Sequence, residues 1–192
     1  KLDAEYKKAT KYFTLSLNKI LKKYVEPNLL DRNSEFPIAS DKDKEALFYL
    51  DKITEIKRRL LGDEHIETIR SIQDLGEFMI DVFINEDVSY LDKSLKLLEE
   101  SLVLNMNLFG DSHLNTANSF DALGKFYKKK GDSETALKYY FESLSIKQKL
   151  LDFNNKILFS ALSNYASLLI ELEDYKSAET YVRDTLRASK VG

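Results

Sequence analysis

The residues with the most obvious chemistry are two histidines. His65 and His113 are the only ones in the chain, and each closes a Gly-Asp loop: Gly62-Asp63-Glu64-His65 and Gly110-Asp111-Ser112-His113. Imidazoles with carboxylates nearby are metal-ligand chemistry, and Asp63, Glu64 and Asp111 are at hand. The spacing favours a plainer reading. The two loops are copies of one another 48 residues apart, so each His belongs to a linker that starts a helix. Other chemistry fares no better. The chain has no Cys, which removes disulfides and thiolate sites and suits a reducing compartment. Neither His stands in an HExxH or a nucleophile-elbow context. Glu99 and Glu100 are adjacent on a helix and diverge, which makes them a solvated face and no acid/base pair. The glycines form neither GxGxxG nor GxxxxGK, so no nucleotide site is indicated. The sequence predicts no enzyme, no metal and no cofactor.

Two further clusters read as structure. Lys128-Lys129-Lys130 suits a solvated helix end, where cations complement the dipole. Tyr139 and Tyr140 fall on core positions and are expected to pack, with Phe141 more exposed.

These residues sit on a chain with helical periodicity throughout. Pro occurs twice and Gly six times, too few breakers for a many-stranded sheet. The pattern predicts eight helices: 3 to about 25, 41–61, 66–84, 91–108, 114–130, 133–151, 156–171 and one following Asp174. Ser40 or Asp41 would cap the second. The connection over 26–40 carries both prolines and no period, and is expected to be mobile. The stretch from Leu114 to Leu151 is the clearest, with Leu123, Gly124 and Tyr127 on one helix and Ala136, Tyr140 and Leu144 on the next. It recurs. Ala136, Tyr139 and Leu144 match Ala178, Tyr181 and Leu186 at an offset of 42, and about six extra residues around Asn85-Glu86-Asp87 lengthen the earlier offset to 48. Gly76, Gly124 and Ala166 share one repeat position, and Ala46, Ser94, Ala136 and Ala178 another. Small residues there let paired backbones approach closely. Self-similarity at this period implies stacked helix pairs.

Leu-Gly with a Tyr four after the Leu, then Gly131-Asp132, then Ala136, resembles the tetratricopeptide repeat. The longer period and the Leu/Phe-Gly-Asp-x-His linkers resemble the kinesin light chain type of that repeat, over about residues 42 to 190. Two positions depart: the third linker is Leu151-Asp152-Phe153-Asn154-Asn155, and Glu173 stands where Gly is usual. The resemblance implies an all-α, right-handed superhelix, one domain of four pairs: 3–61, 65–108, 113–151 and 156–190. It also implies a protein-protein interaction scaffold that binds peptide segments on the concave side, lined by the first helix of each pair. The groove positions it implies are Arg70, Gln73 and Glu77, then Asn118, Asp121, Lys125 and Lys128, then Ser160, Ser163 and Ser167. Members that clamp a terminal carboxylate use an Asn at a place matched here only by Asn164. Asp74 and Ala122 hold the equivalent places, which argues against such a clamp. Asp121 and Lys125 have the acid-before-base order of an i,i+4 ion pair, and Lys147 on the following helix is expected to face away from the groove.

The bulk numbers set outer bounds. A net charge of −3 gives no basis for a nucleic-acid or membrane partner. No apolar run is long enough for a membrane span. The chain opens on Lys1 without Met, which reads as a fragment with targeting signals able to lie outside it. The expected partner is a protein or peptide, met in the cytoplasm, as a kinesin-light-chain-like cargo or adaptor module. A peptide-sensing regulator and a structural spacer are the alternatives. The oligomeric state is not legible.

Overall fold

A computed structural model describes residues 39–83, 87–152 and 155–188, with side chains to Arg183. The described chain is all helix: α1 (Asp41–Leu61), α2 (Ile66–Phe83), α3 (Val88–Phe109), α4 (Leu114–Lys130), α5 (Ser133–Leu150), α6 (Lys156–Glu171) and α7 (Tyr175–Ala188). The helix expected over 3–25 and most of the connection over 26–40 lie outside the described residues, as do Ile84, Asn85 and Glu86 of the inserted segment. The fourth predicted helix begins three residues early, at Val88, because Asp87 accepts a hydrogen bond from the Ser89 backbone N–H at 2.8 Å and caps it.

Each helix packs on the next in sequence, and α2 and α4 also pack directly on one another. That is the contact pattern of a stack of hairpins. On the other side α1 and α3 are joined by long side chains: Arg58 forks onto Glu100 at 2.7 and 2.8 Å, and Lys93 reaches Asp51 at 3.1 Å. The stack is therefore tighter on the side of α2 and α4, which curves it into a superhelix with those helices on the concave face. The hydrophobic clusters cross repeats. Ile80 from α2 and Leu98 from α3 meet Ala122, Leu123 and Phe126 from α4, while Leu144 from α5 meets Leu158, Ala161 and Leu162 from α6.

The small-residue positions do what their spacing implies. Ala46, Ser94 and Ala136 are at most 1% exposed and Ala178 is 5% exposed. Ser94 also donates its hydroxyl to the Gly76 carbonyl at 2.8 Å, tying α3 to α2 at their closest approach. A Cβ on Gly124 would stand 2.6 Å from Tyr140 Cδ1, and one on Gly76 would stand 3.0 Å from Leu98 Cδ2. Burial pushes the Tyr140 phenol up to about 12, so the ring wedged beside Gly124 stays neutral.

The linkers explain the histidines. The Nδ1 of His113 accepts from the Asn115 backbone N–H at 3.1 Å, and the Nδ1 of His65 accepts from that of Glu67 at 3.2 Å. Each ring caps the helix it precedes. Asn155 takes the same place in the third linker and caps α6 through Ile157 at 2.9 Å, so the missing His is replaced in function. Glu173, where Gly is usual, holds φ 61. A side chain in that left-handed region is strained by about 1 kcal/mol.

Candidate binding groove

The concave wall is built from one face of α2 and α4 and continues onto α6. On α2, Arg70 is exposed with its guanidinium 3.2 Å from Glu67. Gln73 donates to Glu77 at 2.9 Å, and its carbonyl oxygen accepts from the Ser119 hydroxyl at 3.1 Å across the repeat boundary. On α4, Asn118 is exposed, and Lys125 reaches back to Asp81 at 2.6 Å and Glu77 at 3.7 Å. Lys128 reaches forward to Glu171 on α6 at 2.5 Å. Ser160 and Ser163 are exposed on α6, and Ser167 donates to the Asn164 carbonyl one turn back at 3.0 Å.

The lysine run does more than complement a dipole. Lys129 pairs with Asp81 at 2.8 Å, and Lys130 lies 5.8 Å from the Tyr127 ring centre. With Lys125 and Lys128, the basic end of α4 clasps both neighbouring repeats. Burial raises the Asp81 carboxyl, but Lys125 and Lys129 outweigh it and hold the group below its ordinary value.

Two expectations are corrected here. Asp121 does not pair with Lys125. Its carboxylate takes the amine of Lys147, and Lys147 is not turned away from the structure but is 2% exposed between α4 and α5. The reason lies in the repeat register. Lys147 is the counterpart of Asn105 and Lys57, which occupy the same repeat position. Asn105 donates to the Ser119 hydroxyl at 2.8 Å, and Ser119 in turn bonds Gln73; Lys57 donates to Ser71 at 2.7 Å. At the first two junctions, then, a polar residue of one hairpin's second helix holds the first helix of the next. After the third hairpin Ala161 stands where the serine would be, and Lys147 bonds instead to Asp121 on α4 of its own hairpin. The other oxygen of Asp121, Oδ1, is buried and has no partner among the described residues.

Between α2, the end of α3 and the start of α4 lies a cavity of about 220 Å³. Ile66 and Ile69 give it an apolar floor. Its wall is Asn105, Asn115 and Asn118, and Arg70, Gln73 and Asp74 complete the lining. The structure thus brings Arg70, Gln73 and Asn118 of the expected set into one site. Glu77, Lys125 and Lys128 lie further along the same wall, and the three serines stand apart on α6. The side-chain amides of Asn115 and Asn118 make no hydrogen bond among the described residues. Asn105, Asn115 and Asp74 were not among the groove positions that the repeat pattern implies. The signal for Asp74 was available, since it holds the same repeat position as Ala122 and Asn164. Its carboxyl is pushed up to about 6, first by the protein around it and next by Glu77, with Lys57 and Arg70 pulling the other way. The side chain is nonetheless exposed, so Asp74 is a carboxylate open to water on the groove side.

The comparisons with known proteins agree with this architecture. Residues 91–149 match a tetratricopeptide repeat family model. That match spans α4 and most of α3 and α5. Among solved structures, the fold is similar to a Podosopora anserina protein described as a kinesin light chain with nearly identical TPR-like repeats. The TM-score is 0.70 at 14% identity, over 91% of this chain and 74% of that one. A second structure of those repeats matches with a TM-score of 0.69 at the same identity and coverage. BtubC (BKLC) from P. vanneervenii matches with a TM-score of 0.64 at 17% identity, over 79% of this chain and 59% of that one. At such identities the likeness establishes the fold. No curated protein matches the chain. Among the described residues no group of three or more His, Cys, Asp or Glu is placed to hold a metal ion, and no helix is long and apolar enough to cross a membrane.

Proposed function

We propose that this tetratricopeptide repeat chain is a protein-interaction module that holds an extended peptide segment of a partner protein along the concave wall of α2 and α4. The observation that carries this reading is the pair of unengaged amides, Asn115 and Asn118, facing a cavity of about 220 Å³ beside Gln73 and Arg70. An amide side chain both donates and accepts, so it can bond the N–H and C=O groups of an extended backbone whatever its sequence. Glu77, Lys125 and Lys128 continue the polar track toward Ser160, Ser163 and Ser167 on α6. Asp121 supports the wall through Lys147 and contributes little open surface to it. The likeness to a kinesin light chain supports a cargo or adaptor role in the cytoplasm as the cellular form of this activity.

The test is selection of binders from a displayed random-peptide library by the wild-type chain, followed by binding to two variants. Asn115→Ala with Asn118→Ala should weaken a selected peptide about fivefold or more, the cost of one or more hydrogen bonds. Lys96→Ala, on the exposed face of α3, should leave binding unchanged. No selection by the wild type, or equal binding by the amide variant, would remove the groove from consideration.

A further inference from the structure

We propose that the cavity between α2 and α4 receives a basic side chain, Lys or Arg, of the bound peptide, with Asp74 as the residue that reads it. This rests on the groove reading and sharpens it. The charged groups around the cavity are engaged with one exception. Lys57 is bonded to Ser71 at 2.7 Å and Glu67 at 3.4 Å, and Arg70 to Glu67 at 3.2 Å. Glu77 accepts from Gln73 at 2.9 Å and faces Lys125 from α4, which is held at 2.6 Å by Asp81. Asp74 alone among them has no hydrogen bond or ion pair among the described residues. α3 presents only the neutral Asn105 to the cavity, so no cation on the facing helices is left to approach Asp74.

The shape of the site fits the same ligand. Ile66 and Ile69 give the cavity apolar lining against which the methylene stem of Lys or Arg can lie, and Asp74 lines it from the same helix, α2. Asn118 lines the same cavity, with an amide oxygen free to accept one of the remaining protons of the cationic head. An acidic or apolar peptide side chain would leave Asp74 either repelled or stripped of water without a partner. The carboxyl is raised first by the protein packed beside it and next by Glu77, against the pull of Lys57 and Arg70, while the side chain stays exposed. A cation entering the cavity must compete with that proton. Binding is then strong at neutral pH and fades as Asp74 protonates.

The experiment pans a displayed random-peptide library on the wild-type chain and on Asp74→Asn at pH 7.5. Peptides taken by the wild type should share Lys or Arg at one position, and those taken by Asp74→Asn should not. Replacing that basic residue by norleucine should weaken binding to the wild type about tenfold and binding to Asp74→Asn hardly at all; the wild-type arm alone requires no altered protein. Lowering the pH to about 5 should also weaken the basic peptide about tenfold, as expected when a group that titrates near 6 protonates. Peptides selected without a shared basic residue, or a norleucine peptide bound as well as its parent, would overturn the role of Asp74 and leave the groove standing. Failure to select any peptide would overturn both.

Discussion

Lys147 offers the sharpest test of how the hairpin of α4 and α5 is held together. A lysine in a repeat protein of this charge content would ordinarily tolerate substitution, yet this one is 2% exposed and spends its charge on Asp121. Lys147→Met keeps the length of the stem and removes only the ammonium. Breaking a buried pair by deleting one partner costs about 3–5 kcal/mol, because the remaining charge is left without compensation. The Asp121 side chain is 26% exposed, so water recovers part of that, and about 3 kcal/mol is expected. For a chain of this size that lowers the melting temperature by about 6–12 °C. Lys125→Met is the control, since its side chain is 35% exposed and its pairs with Asp81 and Glu77 are worth about 1 kcal/mol or less. The double variant Lys147→Met with Asp121→Ala removes both charges and should recover most of the loss. Circular dichroism melts and urea titrations of the four proteins decide the matter. If Lys147→Met melts with Lys125→Met, or the double variant is no better than the single, the hairpin of α4 and α5 does not depend on this pair.

The two close-packed glycines should respond differently to the same added methyl group. Gly124→Ala places a Cβ within 2.7 Å of two ring atoms of a buried Tyr140 and should destabilise by about 1–2 kcal/mol even after the gain in helix propensity, whereas Gly76→Ala meets a leucine side chain at 3.0 Å and should be close to neutral; equal melting temperatures would mean the hairpin contact is misplaced. Asp74 gives a pH signature in stability. Its folded carboxyl lies near 6 against 3.8 for an unfolded chain, so between these values the folded state binds the extra proton and gains stability on acidification. Asp74→Asn should therefore be more stable than wild type at pH 7.5, by about 1 kcal/mol once solvent screening is allowed for, and no more stable near pH 4; a difference that does not change with pH would contradict the assignment.

Much of the scaffold was legible because small residues and apolar stripes recur at fixed offsets. Gly124 and Ala136 announced a close helix pair, and the structure places Tyr140 hard against that glycine. The linkers were legible as repeats but not as chemistry, since a capping role for His113 depends on a ring nitrogen meeting the Asn115 N–H, which no spacing reveals. Lys147 was misread for a related reason. Its i,i+4 and i,i−4 neighbours describe only its own helix, while its partner sits on α4. Alignment with Asn105 and Lys57 at the same repeat position would have exposed a recurring polar junction. Asp121 and Lys125 looked like partners because they share a helix face, but tertiary contacts offered each a better one. Of the implied groove positions, Arg70, Gln73 and Asn118 line the cavity. The repeat pattern missed Asn115, in the first turn of α4, and Asn105, which enters from a second helix of a pair and so lies outside any rule based on first helices.

The central claim is that the wall formed by α2 and α4 is the binding surface. Hydrogen–deuterium exchange of the chain, with and without a peptide selected from the random library, tests it most directly. Slowed exchange is expected over residues 66–77 and 114–128, with α1 and α3 unchanged over their exposed faces. Protection confined to α1, α3 or α5, with 66–77 and 114–128 unaffected, would contradict it.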